Sequence, residues 1–338
     1  MINFQYARAN DVADAVRQTA ADPAAKFIAG GTNLLDLMKD DVERPTRLID
    51  ISRLPLNKVE ETAEGGLRIG ALVPNSDLAY HPLVEQRYPV LSSAILAGAS
   101  QQLRNMASTG GNLLQRTRCY YFYDTATPCN KREPGSGCSA IKGINRMHAI
   151  LGTSDACVAT HPSDMCVALA MLSAKVHVTG RAGERTIAFA DFHRLPGDTP
   201  QRDSNLRPDE IVTAVELPAQ GFATNYTYLK IRDRLSYAFA LVSVAVGLEL
   251  DGDRIKQARF ALGGVAHKPW RDEAAEVTLR GQAPSAESFK RAADALLREA
   301  KGFEHNSFKI DLARRAIVRA LTQAANGTPQ SQSNKKIA

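Results

Sequence analysis

The spacing of apolar residues along the first two thirds of the chain predicts short strands that alternate with helices. Val12, Ala15 and Val16 follow Asp11 at helical spacing, which predicts a capped helix that ends near Ala21. Apolar runs between turn residues predict strands at 2–6, 26–29, 48–51, 67–73, 174–179, 184–189 and 210–217. Further helical patterns cover 34–38, 78–103 with a break at Tyr88-Pro89, and 165–173.

The pattern changes after residues 218–221, which we interpret as a hinge. Strands are predicted near 225–232, 237–250 and 254–263, and helices are predicted near 272–280, 285–300 and 307–323. Strands followed by helices are typical of an α+β domain. The predicted organisation is a first domain at 1–218, a C-terminal α+β domain at 222–325 and a polar, disordered tail at 327–338.

The composition is that of an ordinary globular protein, and it argues against several classes of function. Apolar residues make up 44% of the chain, charged residues 23% and aromatic residues 6%, and the net charge is +6. No basic run suggests nucleic-acid binding, and no stretch of about 18 apolar residues predicts a membrane span. The N-terminus lacks a signal-peptide pattern, which predicts the cytoplasm for the chain taken alone.

Two Gly-Gly turns resemble each other and form the first candidate binding site. Gly30-Gly31-Thr32-Asn33 lies between a predicted strand and a predicted helix, and Thr109-Gly110-Gly111-Asn112 repeats the pattern. Paired glycines let the backbone approach a phosphate, and the N–H groups at a helix start favour an anion. The pair predicts a grip on both phosphates of a dinucleotide, and two purely structural turns are the alternative.

All five cysteines lie between residues 119 and 166, and four of them are spread over a polar loop at 116–160. Cys119, Cys129, Cys138 and Cys157 match neither the common zinc spacings nor the common ferredoxin spacings. Six basic and three acidic side chains accompany them between 116 and 157, which favours a negatively charged [4Fe–4S] cluster over zinc. Buried free thiols are a further alternative. We assign that role to Cys166, which lies in an apolar helix.

Polar residues beside other predicted elements supply further candidates. Asp164, at the start of a helix, suits a ribose or ribityl hydroxyl, although it also complements the helix dipole. Lys230 and Tyr228, at a strand end, suit a reduced flavin, and a solvated strand end is the alternative. His161 precedes a proline and is interpreted as structural. We find no Gly-x-Ser-x-Gly elbow and no paired carboxylates, so the sequence favours electron transfer over substrate chemistry.

Together these motifs resemble the FAD-binding (medium) subunit of the xanthine dehydrogenase family of molybdenum hydroxylases, over nearly the whole chain. The resemblance implies an α+β fold, with a two-part FAD-binding domain of the PCMH type, built from mixed α/β subdomains. A C-terminal domain like that of carbon monoxide dehydrogenase flavoproteins would follow it. The FAD-binding residues that it implies are Lys26, Phe27, Ile28, Ala29, Gly30, Gly31, Thr32, Asn33, Leu34, Ser108, Thr109, Gly110, Asn112, Asp124, Asp164, Ile211 and Lys230.

Most members of this family lack a cysteine loop, and its presence here is similar to the branch that oxidises aldehydes in the bacterial periplasm. This similarity implies a [4Fe–4S] cluster on Cys119, Cys129, Cys138 and Cys157. It also implies a heterotrimer with a large molybdenum-cofactor subunit, where aldehydes become carboxylic acids, and a small [2Fe–2S] subunit whose signal exports the complex. FAD would then pass electrons to an external acceptor. The alternatives are a non-catalytic metal-binding scaffold and a free-standing flavin oxidase.

Overall fold

The computed structural model describes residues 1–332, and this part of the chain contains three separate sheets. The strands are β1 Gln5–Arg8, β2 Ala25–Ile28, β3 Arg47–Asp50, β4 Val59–Glu61, β5 Leu67–Gly70, β6 Lys175–Gly180, β7 Gly183–Ala188, β8 Ile211–Leu217, β9 Asn225–Ile231, β10 Val242–Asp251 and β11 Arg254–Gly263. The helices are α1 Val12–Ala21, α2 Leu34–Lys39, α3 Asn75–Ala79, α4 Pro82–Arg87, α5 Pro89–Ala97, α6 Gln101–Met106, α7 Thr109–Leu113, α8 Tyr120–Tyr123, α9 Ser139–Lys142, α10 Asp164–Met171, α11 Phe189–Phe192, α12 Glu273–Val277, α13 Ala286–Leu296 and α14 Phe308–Ala325.

Each sheet has its own topology. The first is parallel with strand order β1-β3-β2, and the second is antiparallel with order β4-β5-β8-β6-β7. The third, in the C-terminal part, is antiparallel with order β11-β10-β9 and is covered by α13 and α14. The α+β prediction is therefore confirmed.

Most predicted elements are present, and the differences have local causes. Asp11 caps α1 by accepting a bond from Asp14 N at 2.7 Å, as its sequence pattern indicates. The break predicted at Tyr88-Pro89 within the helical stretch 78–103 is present, because Pro89 begins α5. The stretch is divided further than predicted, into four short helices, and Pro82 begins one of them. The strand predicted at 237–250 begins only at Val242, since Tyr237 has a positive φ of 49° that an extended strand does not permit.

The two domains pack against each other through one shared apolar cluster, and the C-terminal sheet and the parallel sheet also have clusters of their own. Every residue of α10 is buried, and this helix packs on β10 and β11 of the C-terminal sheet. Tyr228 and Ala245 belong to the same apolar cluster as the second sheet. The segment interpreted as a hinge is also tightly packed, because a Cβ on Gly221 would lie 1.7 Å from the carbonyl oxygen of Arg87. The structure therefore does not support a flexible hinge at 218–221.

The first residues of the polar tail make specific contacts. Gln330 N donates to Thr227 Oγ1 at 2.9 Å, and Gln332 Nε2 donates to Tyr228 O at 3.1 Å. The disorder that we predicted from residue 327 therefore does not describe 328–332, where side-chain and backbone amides find acceptors on β9. The remainder of that prediction, at 333–338, lies outside the described residues.

Candidate functional site

The first Gly-Gly turn leaves its backbone donors free. Gly31 has a positive φ of 70°, a conformation that favours glycine, between β2 and α2. Within the described residues, the N–H groups of 30–33 donate to no backbone acceptor, and the buried Asn33 Nδ2 has no partner. Asn33 Oδ1 accepts a bond from Arg116 N at 2.9 Å, which joins the turn to the cysteine loop. Unpaired amide donors in such a turn suit an anionic group such as pyrophosphate.

The second Gly-Gly turn lies against the first but has its donors occupied. The N–H groups of residues 109 and 110 donate to the carbonyls of Val73 and Ala71 at 2.9 and 2.7 Å. Those of residues 111 and 112 donate to Ser108, whose own hydroxyl proton remains available. The sequence predicts that the two turns together grip both phosphates, and this stays a prediction. In the structure the second turn uses its amides to bind the 71–73 segment and Ser108.

The second turn instead organises side chains around the first. A Cβ on Gly30 would lie 1.7 Å from the carbonyl oxygen of Met106, so only glycine permits this approach of the two turns. Asn112 Nδ2 donates to Asn75 Oδ1 at 2.7 Å, and its Oδ1 accepts a bond from Ser163 Oγ at 2.6 Å. Asn112 therefore links the turn to the start of α10, where the predicted Asp164 follows.

Asp164 and Lys230, predicted separately, form one buried ion pair. Lys230 Nζ lies 2.7 Å from Asp164 Oδ2, and the two side chains are only 3% and 8% exposed. Tyr228 donates its hydroxyl proton to Asp164 Oδ1 at 2.7 Å, and burial with the carboxylate charge raises the pKa of Tyr228 well above its usual value. The two predicted flavin contacts thus meet at one point, between the two domains.

A cleft of about 260 Å³ opens beside Asp164. Residues of the cysteine loop, the 160–164 segment and the 239–264 region form its walls. Buried polar atoms without a partner in the described chain belong to several lining residues, and these include Thr117 Oγ1, Arg118 Nε, His148 Nδ1 and His161 Nε2. Buried polar groups normally have partners, so this cleft fits a ligand that carries polar atoms along an apolar body.

The four predicted metal ligands come together. Cys119, Cys129, Cys138 and Cys157 all line one small cavity inside the loop, although up to 38 positions separate them in sequence. Cys129 and Cys138 face each other in an antiparallel bridge, and Cys119 caps the single turn of α8. Burial raises the pKa of Cys119 to about 12 and that of Cys157 to about 11, and repulsion from neighbouring thiols adds to both shifts. Such thiols ionise when a metal binds them.

The thiols are spread more widely than a single ion requires. In the described part of the chain, three possible metal-ligand side chains lie with all their ligand atoms within 4.8 Å of one another. They are His161, Cys166 and His193. The loop cysteines form no such group. A tetrahedral zinc ion with Zn–S bonds of about 2.3 Å holds its sulfurs about 3.8 Å apart. The arrangement therefore fits a multi-atom cluster better than zinc.

Comparison with known proteins agrees with this geometry. Residues 2–220 match the family model described as the FAD binding domain in molybdopterin dehydrogenase, and residues 226–324 match the CO dehydrogenase flavoprotein C-terminal domain. The chain belongs to this family of FAD-binding subunits. The resemblance to the molybdenum hydroxylase family and the predicted fold class are thereby confirmed.

Relatives of this oxidoreductase family match the chain along almost its full length. It is 53% identical over 322 residues to the aldehyde oxidoreductase FAD-binding subunit PaoB of Escherichia coli K12, which covers 95% of this chain and 98% of PaoB. It is 27% identical over 330 residues to the carbon monoxide dehydrogenase medium chain of Hydrogenophaga pseudoflava, covering 95% and 96%. A solved structure of that dehydrogenase, lacking the Mo-pyranopterin moiety, matches with a TM-score of 0.76 and 26% identity over 97% of this chain and 99% of that one.

The structure separates some predicted FAD residues of this family member from the cleft. Ile211 is 2% exposed and lies in the core around the parallel sheet. Asp124 is on the surface, where its Oδ1 accepts a bond from Ala126 N at 3.0 Å. Lys26, at the exposed edge of β2, has its Nζ 3.8 Å from Glu43. Of the predicted FAD residues, Asp164 lines the cleft, whereas Ile211 and Asp124 line neither the cleft nor the cysteine cavity, and their contacts with FAD stay predictions.

Sequence reasoning missed residues that only the fold brings to the cysteines. His148 Nε2 lies 3.1 Å from Cys119 Sγ, and burial together with the charge of Lys309 lowers the pKa of His148 to about 4. Lys131, whose side chain is 1% exposed, lines the cysteine cavity and pairs with Asp203 and His267. No local motif signals these contacts, because their partners are 29 to 136 positions away.

Cys166 meets the prediction of a core thiol. It is fully buried in α10, and burial raises the pKa of its thiol to about 12. Its sulfur does lie close to His161 and His193, whose rings are 4.3 Å apart between centroids. It does not line the cavity that the other four cysteines share.

Proposed function

We propose that this chain is the FAD- and [4Fe–4S]-containing electron-transfer subunit of a molybdenum-dependent aldehyde oxidoreductase. The observation that carries the flavin part is the set of unpaired donors at the first Gly-Gly turn, together with the unpaired polar atoms around the cleft beside Asp164. The substrate class rests on the relative that is 53% identical and is named an aldehyde oxidoreductase subunit. A chain without its own substrate machinery suits the role of passing electrons onward.

The residues of the site have distinct roles in this proposal. The amides of 30–33 and the hydroxyl of Ser108 hold the pyrophosphate of FAD, and Thr109, Gly110 and Asn112 shape the turn beside it. Asp164, which lines the cleft, offers its carboxylate to the ribityl chain, and Lys230 holds that carboxylate and places a positive charge near the ring. Oxidation of an aldehyde with water to a carboxylic acid releases two electrons and two protons, and bound FAD would supply an acceptor for both electrons.

The four loop cysteines hold the cluster in this proposal. Four thiols converge from a loop that otherwise contains only two single-turn helices, and their wide separation favours [4Fe–4S] over zinc. The cysteine cavity and the cleft share two lining residues, Thr117 and Cys119. This shared wall favours a relay between flavin and cluster over a purely structural staple, because electron transfer requires neighbouring centres.

The partners follow from the same reasoning. We propose a heterotrimer in which a large subunit carries the molybdenum cofactor and a small subunit carries [2Fe–2S] centres. Carbon monoxide dehydrogenase relatives of similar length are named medium chains, which agrees with an assembly of unequal subunits. Residues 1–332 contain no helix able to cross a membrane. We propose that the complex is exported to the periplasm with a signal-bearing partner, with the cytoplasm as the alternative if no such partner exists.

The decisive measurement is the flavin, iron and zinc content per chain after anaerobic purification, in wild type and in two cysteine variants. We expect one FAD and about four irons in wild type. Cys129→Ser should lose the iron and keep the FAD, because Cys129 lines only the cysteine cavity. Cys166→Ala is the matched control and should keep both, since its thiol is buried elsewhere in the core.

The other outcomes separate the parts of the proposal. FAD without iron, or with one zinc, would leave the flavin subunit standing and overturn the cluster. Iron without FAD, with no FAD taken up on addition, would favour a metal-binding scaffold. Turnover of aldehydes by the chain alone would favour a free-standing flavin oxidase and overturn the partner subunits.

A further inference from the structure

His148 contacts one of the four loop cysteines directly. Its Nε2 is 3.1 Å from Cys119 Sγ, and the residue is 2% exposed. The other ring nitrogen, Nδ1, is buried and has no partner among the described residues. In the free thiol either Sγ–H or Nε2–H can donate across this contact, because the roles depend on the tautomer of the ring. A sulfur that ligates a metal has lost its proton, so Nε2 would then be the donor.

The backbone of His148 is fixed from the C-terminal domain. Its carbonyl oxygen accepts bonds from Lys309 Nζ at 2.8 Å and from Asn306 Nδ2 at 3.2 Å, and its N–H donates to Asn145 O at 2.9 Å. These contacts hold the imidazole independently of the cysteine. A donor whose position is set by other parts of the fold is preorganised for its acceptor.

Cys119 differs from the other three cysteines in two respects. It is the one of the four that lines both the cysteine cavity and the cleft beside Asp164. Among the four cysteines of the described chain, Cys119 has a side-chain nitrogen within hydrogen-bond distance of its sulfur. Cys157 Sγ instead accepts a longer bond from a backbone amide, Ala159 N, at 3.4 Å. The imidazole thus contacts the thiol that separates the two candidate centres.

From this geometry we propose that His148 is a positioning residue that sets the reduction equilibrium of the cluster through Cys119. A hydrogen bond to a ligating sulfur stabilises the extra negative charge of the reduced cluster and favours reduction. The fold places this donor on the side of the cluster that faces the flavin cleft. This inference rests on the proposed function only in requiring that the four cysteines bind the cluster.

The test is a redox titration of the cluster in the purified full-length chain, followed by electron paramagnetic resonance. His148→Phe keeps a flat ring and removes the donor, and His148→Gln keeps a side-chain donor. We expect His148→Phe to lower the ratio of reduced to oxidised cluster about tenfold at a fixed potential, which is 59 mV for a one-electron couple. His148→Gln should fall between this variant and wild type.

His193 provides a matched control. It is also buried, donates one bond, to Leu113 O at 2.8 Å, and has an unpartnered Nδ1, but it lines neither cavity. His193→Phe should leave the cluster potential unchanged. An unchanged potential in His148→Phe, an equal shift in His193→Phe, or loss of iron from both His148 variants would overturn the assignment. A wild-type chain without iron would overturn the proposed cluster itself.

Discussion

Two glycine turns with nearly the same residues have different tasks in this protein. In the first, Gly30 and Gly31 leave amide donors unpaired, and in the second the donors are bonded to the 71–73 segment. The difference arises from the neighbours of each turn, because the second packs beside a segment distant in sequence whose carbonyls face its amides. The sequence motif alone is therefore insufficient to identify which turn binds an anion.

Gly30→Ala should reduce both stability and flavin content. The new Cβ would lie 1.7 Å from the carbonyl oxygen of Met106, and the required shift costs about 1–3 kcal/mol. Because the shift moves the amides of the first turn, FAD per chain should also fall. Gly252→Ala, at a positive φ of 57° in open space, should cost about 1 kcal/mol and keep its FAD. Thermal unfolding measures the stability, and the flavin released on denaturation measures the FAD content. Wild-type stability and FAD content in Gly30→Ala would contradict the role of the first turn in binding FAD.

Lys230→Met should be more damaging than removal of the whole ion pair. The variant leaves the Asp164 carboxylate buried with Tyr228 as its remaining side-chain donor, and an uncompensated buried charge costs about 3–5 kcal/mol. The double variant Asp164→Asn/Lys230→Met should therefore unfold at a higher urea concentration than Lys230→Met. Equal stability of the two variants would show that the Asp164 carboxylate does not depend on Lys230 for its stabilisation.

At the scale of the elements, the cysteine loop is held by charges that lie outside it. Counting within the loop gives an excess of basic residues, but Arg116 pairs with Glu43 and Asp203, and Arg118 pairs with Asp36. Burial opposes the ionisation of Asp203, yet Lys131 and Arg116 outweigh it and hold the pKa of this carboxyl well below its usual range. These basic side chains thus anchor the loop, and their charge is partly neutralised by carboxylates outside it.

Asp203→Asn should destabilise the loop in a pH-dependent way. Because the folded pKa of Asp203 is lowered, its contribution is present above about pH 4 and is lost as the pH falls further. At pH 7 we expect a loss of about 3 kcal/mol, the lower end for a broken buried pair, since the Asp203 side chain is 34% exposed. Urea unfolding of wild type and variant at pH 7 and near pH 2 measures this, and the difference between them should shrink at the lower pH. Asp155→Asn, an exposed change in the same loop, should stay within about 0.5 kcal/mol.

The elements were easier to predict than the contacts between them. Periodicity indicated α1, α10 and the C-terminal strands, because each buries a face whose pattern is local in sequence. The convergence of four cysteines was also expected, since their polar surroundings offered little core. The contact of His148 with Cys119 and the pairing of Lys131 with Asp203 depend on how distant segments pack, which no local pattern records.

At the scale of the whole molecule, the two domains act as one packed body. The apolar cluster around α10 includes Tyr228 and Ala245 from the C-terminal sheet, so part of the core is buried at the boundary between the two domains. The cysteine loop is likewise bonded to the C-terminal domain, where Lys309 Nζ donates to His148 O and to Gly264 O at 2.8 and 2.6 Å. Stability of the loop and stability of that domain should therefore change together.

Lys309 makes this coupling measurable through pH. Burial, aided by the charge of Arg146, lowers the pKa of Lys309 from 10.5 to about 7. Between these values the unfolded chain binds more protons than the folded chain, so the free energy of unfolding rises with pH. Wild type should gain about 2 kcal/mol over Lys309→Met between pH 7 and pH 9. Lys290→Met, an exposed change on α13, should follow the wild-type profile. If the free energies of unfolding of wild type and Lys309→Met changed in parallel with pH, the ammonium group of Lys309 would not be buried between the cysteine loop and α14.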